Sequence, residues 1–176
     1  MISWIAKLIF FRFMGWKILG DFPKLNKFII AVVPHTRNLD FVVGVLARAV
    51  LREEINFIGK KELFNPFTGW FFTAMGGSPI NRGRKENKVT AIAEVFNKRD
   101  HFRLAIAPEG TRKKVDRWKT GFYHISIKAS VPILLVNFNY REKKISFLNL
   151  FYPTGNLNKD FKSMEVIFNK AMKVKS

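Results

Sequence analysis

The chain has 176 residues, 48% of them hydrophobic and 15% aromatic, with 19 Phe, no Cys and a formal net charge of +18. Without Cys there is no disulfide, no cysteine-ligated zinc and no thiol nucleophile, and this length suits one domain with a sizeable core. The positive excess calls for a polyanionic partner, and so much Phe and Trp beside it favours an anionic membrane surface over nucleic acid, whose binders are basic but polar.

The first twenty residues, MISWIAKLIFFRFMGWKILG, are apolar nearly all round but carry Lys7, Arg12 and Lys17. A membrane-spanning helix wants about 20 mostly uncharged residues, and no small-residue cleavage site follows, so neither a span nor a removable signal is expected. Two Trp and three Phe in this piece favour a helix lying in the membrane interface with its cations reaching the headgroups. Packing on the protein's own core is the other reading. Residues 1–20 are therefore expected to be an amphipathic membrane-associating segment and 21–176 a single folded domain.

KFIIAVV (27–33) is a β-branched run without alternation, the pattern of a strand buried on both faces. LDFVVGVLARAVLREE (39–54) reads as a helix with Asp40 in its first turn, INFIGK (55–60) as a strand, and FNPFTGWFFTAMGG (64–77) as an aromatic helix closed by glycines. SPINR (78–82) reads as a brief strand and KENKVTAIAEVFNKRD (85–100) as an amphipathic helix. FRLAIA (102–107) predicts a strand, PEGTRKK a loop and GFYHISIKAS (121–130) a helix. VPILLVNFNY and KKISFLNLFY predict strands joined as a hairpin through REKK, and the tail from Lys159 a basic helix. Alternating strands and helices make the fold class α/β, a mostly parallel or mixed central sheet flanked by helices. In such sheets the site gathers at the carboxyl ends of the strands, where His35, Arg82 and PEGTR would meet.

The stretch AVVPHTRNLDF places His35 just past the first of these strands and Asp40 five residues on. A carboxylate beside a histidine fixes its tautomer and supports the imidazolium, which makes a general base. On one continuous helix this spacing would separate the two side chains by about 140°, so the chain must bend between them. Asp40 acting only as a helix cap is the open alternative. In PEGTR, Gly110 offers backbone amides, Thr111 a hydroxyl and Arg112 a guanidinium to an anion, while a Glu109–Arg112 ion pair closing a polar turn is the alternative. Arg82, Arg84, Lys60 and Lys61 are either phosphate ligands or solvated surface cations. His101 and His124 read as structural or exposed. Serine elbow, phosphate-loop and dinucleotide-turn motifs are absent, as is any metal-ligand spacing, and no motif for reading nucleic acid is present.

In order, these blocks resemble the glycerophospholipid acyltransferase superfamily, of the lysophosphatidic-acid acyltransferase type. Its H-x-x-x-x-D box matches His35 to Asp40, its glycine-hydrophobe-arginine block resembles GGSPINR with Arg82, and its E-G-T-R box matches Glu109 to Arg112. WKTGF and VPILLV, with Pro132, resemble its later blocks, so the likeness runs from Phe28 to Tyr140. Asn38 stands where the family often has serine, Arg37 beside His35 is unusual, and the amino terminus is shorter than in many members, leaving one expected anchor segment.

The resemblance implies a membrane-associated O-acyltransferase on the cytoplasmic face of the cytoplasmic membrane. It implies a thioester donor, acyl-CoA or acyl-carrier protein, and a lysophospholipid acceptor such as 1-acyl-glycerol-3-phosphate, with no cofactor, metal or nucleic acid. His35 would be the base and Asp40 its orienting partner. Arg82, Glu109, Gly110, Thr111 and Arg112 would bind the acceptor and its phosphate, and Arg37, Asn38, Lys60 and Lys61 would assist. The absence of Cys and of a serine elbow fits direct attack rather than an acyl-enzyme. The aromatic segment 64–76 is the expected wall of an acyl tunnel, with core or membrane contact as its alternative. An acyltransferase for another lysolipid, such as a lyso-aminolipid, and a non-catalytic basic binder are the competing functions.

Overall fold

Two apolar strands without alternation set the centre of the molecule. In the computed structural model, which describes residues 2–35, 39–80, 85–111, 115 and 117–173, β2 (Lys27–Val33) lies between β5 (Phe102–Ile106) and β6 (Ile133–Asn139), parallel to both. β3 (Asn56–Lys60) and β4 (Gly77–Ile80) extend the parallel set beyond β5. On the other side β7 (Lys144–Phe151) returns antiparallel to β6, and β1 (Lys17–Leu19) pairs parallel to β7. The seven strands run β1-β7-β6-β2-β5-β3-β4. The sheet is therefore mixed with a parallel core, as the alternation of elements predicts.

Because successive strand residues point to opposite faces, β2 feeds two cores. Ile29, Ala31 and Val33 join Leu104, Ile133 and Leu135 beneath α4 (Lys85–Lys98), α5 (Gly121–Ala129) and α6 (Leu157–Lys173), which supply Phe96, Phe122, Ile125, Met164 and Phe168. Phe28 and Ile30 join Leu134, Val136 and Phe138 beneath α1 (Ile2–Lys7) and α2 (Leu39–Leu51), which supply Ala6, Val43, Ala47 and Val50. Burial on both faces explains why these strands read as continuous apolar runs.

The amino-terminal segment is divided by its own side chains. After α1 a π-helical turn (Leu8–Phe13) continues the rod, with the Met14 N–H bonded to the Ile9 carbonyl at 2.8 Å. Phe10 and Trp16 sink into the α2-side core, while Trp4, Phe11 and Phe13 stay exposed beside the exposed cations Lys7 and Arg12. Lys17 to Leu19 then form the sheet's edge strand, which the apolar run predicted as helix. Among the described residues no helix is long and apolar enough to cross a membrane.

The aromatic segment is not one helix. A single 3-10 turn (Lys61–Phe64) leads into an Asn65-Pro66 turn, where the Asn65 carboxamide oxygen accepts the Phe67 and Thr68 N–H groups at 2.9 and 3.0 Å. Only Gly69–Ala74 is α-helical, as α3. Competition from the Asn side chain and the ring of the following proline explain the break. Phe64 and Phe72 turn inward, with Phe72 against Phe41 of α2, whereas Phe67 and Trp70 are 87% and 71% exposed. The segment thus has a packed side and an outer side.

Candidate active site

The parallel strands β6, β2 and β5 are neighbours, so whatever follows each of them meets at one end of the sheet. His35 comes two residues after β2, Glu109 three after β5 and Tyr140 directly after β6. α2 begins at Leu39, which sets Asp40 in its first turn, where a carboxylate faces the helix's positive end. The chain bends between His35 and Asp40, and the two side chains meet. His35 Nδ1 lies 2.8 Å from Asp40 Oδ2, with 27% of the histidine side chain exposed and 3% of the aspartate.

Proton placement follows from this contact. A carboxylate on Nδ1 keeps the proton there and leaves the Nε2 lone pair free. An imidazole so held can take a proton from a hydroxyl, and the imidazolium that results is stabilised by the adjacent carboxylate. Asp40 is more than a cap, because its other oxygen, Oδ1, accepts a hydrogen bond from the Tyr140 hydroxyl.

Glu109 closes the other side. Its Oε2 accepts the backbone N–H of His35 at 2.7 Å. Burial pushes the Glu109 carboxyl above its usual range; the His35 N–H and ring oppose that rise, while the Asp40 charge adds to it. One Glu109 oxygen is thus committed to the histidine's backbone. The turn bearing it is tight: Gly110 N–H bonds to the Ala107 carbonyl at 3.0 Å, and Lys119 N–H to the Pro108 carbonyl at 2.8 Å. Gly110 has φ +61°, a left-handed conformation that favours glycine, and the flexible Lys119 side chain lies over it. Thr111 is half-buried beside it.

Of the residues expected from the sequence, His35, Asp40 and Glu109 are in direct contact, with Gly110 and Thr111 on the same turn. Lys61 is exposed in the turn after β3. Arg37, Asn38, Arg82 and Arg112, and the Lys60 side chain, lie outside the described residues. Sequence reasoning missed Tyr140 and Lys119. The signal for Tyr140 was positional: a polar residue ending the strand beside β2 must lie beside His35. Lys119 sits in the WKTGF block, next to the glutamate turn. Among the described residues no group of three or more His, Cys, Asp or Glu could hold a metal ion.

A mixed α/β sheet thus presents a carboxylate-held histidine at its parallel ends, an arrangement chemically able to draw a proton from a hydroxyl or similar group. The Acyltransferase family model matches residues 19–139, and the chain belongs to that family. It is 32% identical over 127 residues to 1-acyl-sn-glycerol-3-phosphate acyltransferase of Escherichia coli (strain K12), covering 69% of this chain and 51% of that protein. The protein of the same description from Haemophilus influenzae is 29% identical over 153 residues, covering 81% of this chain and 61% of the relative. The chain thus spans about half to three-fifths of the length of these relatives. Its fold superposes on the crystal structure of the 1-acyl-sn-glycerophosphate (LPA) acyltransferase PlsC from Thermotoga maritima. The TM-score is 0.69 at 19% identity, over 99% of this chain and 79% of that one, a likeness of fold.

Proposed function

We propose that this chain transfers an acyl group from a thioester, acyl-CoA or acyl-carrier protein, to the free hydroxyl of a lysophospholipid, 1-acyl-glycerol-3-phosphate first among them. The observation that carries the reading is the 2.8 Å contact between His35 Nδ1 and Asp40 Oδ2 in a member of the Acyltransferase family. The choice of substrate is supported by the likeness to the two 1-acyl-sn-glycerol-3-phosphate acyltransferases above.

In this reading His35 Nε2 takes the acceptor's hydroxyl proton as the oxygen attacks the thioester carbonyl. The tetrahedral intermediate collapses with loss of the thiolate, which receives the proton from Nε2. An ester C–O bond forms, the C–S bond breaks, and a free thiol leaves. Asp40 stabilises the imidazolium between these steps. Glu109 holds the backbone of His35. Thr111, on the turn that Gly110 shapes, and Arg112 and Arg82 are assigned to the acceptor's phosphate, and guanidinium groups bind phosphate in bidentate fashion. Arg37, Asn38, Lys60 and Lys61 are auxiliary candidates.

The proposed setting is an anionic membrane surface, on the cytoplasmic face where soluble thioester donors are found. Exposed Trp4, Phe11 and Phe13 alternate with exposed Lys7 and Arg12 on the amino-terminal helix, and the chain carries +18. Aromatic rings at the acyl boundary with cations at the headgroups suit such a surface.

Mass spectrometry of products tests the proposal. The full chain is offered acyl-CoA or acyl-carrier protein with 1-acyl-glycerol-3-phosphate, other lysophospholipids and a non-phosphorylated lyso-aminolipid. Phosphatidic acid is the expected product. Exclusive acylation of the non-phosphorylated acceptor would overturn the phosphate role of Arg82 and Arg112, and no product from any pair would overturn the activity.

A further inference from the structure

Asp40 is fixed from two directions. Oδ2 faces His35 Nδ1, and Oδ1 accepts the hydroxyl of Tyr140, a residue 100 positions away in the chain. The sheet brings the two together: in the β2–β6 register Val33 pairs with Asn137, so the residues just beyond each strand end are neighbours. Tyr140 is itself braced. The Trp16 ring meets its ring edge-on, with centroids 5.0 Å apart and planes at 88°. Trp16 is buried between Phe10, at 6.2 Å, and Phe138, at 6.1 Å.

We propose that Tyr140 is a positioning residue for the acyl transfer described above: its hydroxyl fixes the rotation of the Asp40 carboxylate, which in turn orients the His35 ring. The role rests on that reading of the reaction. Rotation of an aspartate carboxylate about its last torsion is soft, with broad wells. A carboxylate held at one oxygen alone can turn and carry the imidazole with it. A second donor on the opposite oxygen, on a ring packed edge-on by Trp16, restricts that freedom. The buried Asp40 carboxylate also needs hydrogen-bond donors in place of water. A phenol supplies one without adding a formal positive charge that would oppose the imidazolium. Misplacement of a reacting group by about 1 Å costs up to ~10²-fold in rate.

Tyr140→Phe keeps the ring against Trp16 and removes only the hydroxyl. In mixed micelles with oleoyl-CoA and 1-acyl-glycerol-3-phosphate, the variant of this 176-residue chain is expected to lose about 10- to 100-fold in kcat. KM for both substrates should stay within about 2-fold and Tm within ~2 °C of wild type, a split that mere destabilisation does not give. In an Asp40→Ala background the same change should cost nothing further, since its effect passes through the carboxylate. Wild-type kcat in Tyr140→Phe, or an equal loss without Asp40, overturns the role.

A second readout needs no turnover. In protein labelled with ¹⁵N-histidine, the His35 Nδ1–H signal, assigned by its loss in His35→Ala, should exchange with water faster in Tyr140→Phe at unchanged Tm. Unchanged exchange overturns the positioning role whether or not any substrate pair reacts. Faster exchange with no turnover in wild type would count against the acyl-transfer reading alone.

Discussion

Glu109 and His35 stand 74 residues apart, and the glutamate carboxylate accepts the histidine's backbone N–H at 2.7 Å. The general-base candidate is therefore held twice, by its ring through Asp40 and by its backbone through Glu109. Strand β5 delivers one partner and strand β2 the other, so the sheet itself sets the geometry.

Glu109 gives a first prediction with a definite sign. Its folded carboxyl is raised, chiefly by burial, so the folded state holds a proton more tightly than the unfolded state. Stability falls as pH rises from the ordinary carboxyl range through the raised value. Glu109→Gln keeps an acceptor for the His35 N–H and removes the buried charge. Thermal melts should show it at least as stable as wild type at pH 7, with less advantage at pH 4. Glu109→Ala leaves the N–H without its acceptor and should cost about 1–3 kcal/mol.

Asp160 ties three segments on the other face of the sheet. Burial pushes its carboxyl up, but the Thr154 N–H at 2.7 Å, the Tyr123 hydroxyl at 2.8 Å and the Thr154 hydroxyl at 2.8 Å, with the Lys159 charge, outweigh that and hold it below its usual value. This stabilisation is present above the unfolded carboxyl value and is lost as pH falls through the depressed folded one. Tyr123 does the reverse: burial first, then the Asp160 hydrogen bond and charge, push it from 10.0 to about 12. Its contribution is full below 10.0 and is lost as pH rises toward about 12. Asp160→Ala should cost about 3 kcal/mol in denaturant melts and flatten the acid limb.

Arg103 predicts a stability loss without a catalytic one. Buried near the start of β5, it donates to the Leu25 carbonyl at 2.8 Å, pairs with Glu53 and lies over the Phe22 and Phe28 rings at 5.3 and 5.5 Å. Its strand's other end carries the site. Arg103→Ala should lower stability by about 3 kcal/mol, read as a lower urea midpoint, with kcat at a folding-permissive temperature near wild type.

Membrane contact is testable on the two exposed aromatic sites. Vesicle cosedimentation with phosphatidylglycerol should exceed that with phosphatidylcholine and weaken with salt. Trp4→Ser with Phe13→Ser should weaken partitioning by about 1 kcal/mol or more per side chain, ~5–10-fold each. Phe67→Ser with Trp70→Ser reports whether the outer side of the α3 segment joins that contact. Equal binding to both lipids by wild type would contradict the anionic-surface reading.

How much of this the sequence carried depends on range. β2 and β6 were legible because burial on both faces leaves no alternation, and the histidine–aspartate pair because its spacing is local. β1 was not: its three residues sit inside an apolar run, and pairing with Lys144 to Ser146 has no local mark. Tyr140 was hidden for the same reason, its partner being 100 residues earlier. The aromatic segment misled because composition outweighed the Asn65-Pro66 turn. The helix predicted to Glu54 ends at Leu51, where Arg52 takes φ +60° and turns the chain into β3.

The role proposed for His35, held by Asp40, is to draw the proton from the acceptor's hydroxyl. Its most direct measurement is the rate of phosphatidic acid formation from acyl-CoA and 1-acyl-glycerol-3-phosphate by wild type, His35→Ala and Asp40→Asn, each checked for an unchanged melt. His35→Ala is expected to lose about 10²–10⁴-fold, and Asp40→Asn to show a large loss. Wild-type turnover in a folded His35→Ala protein would contradict it.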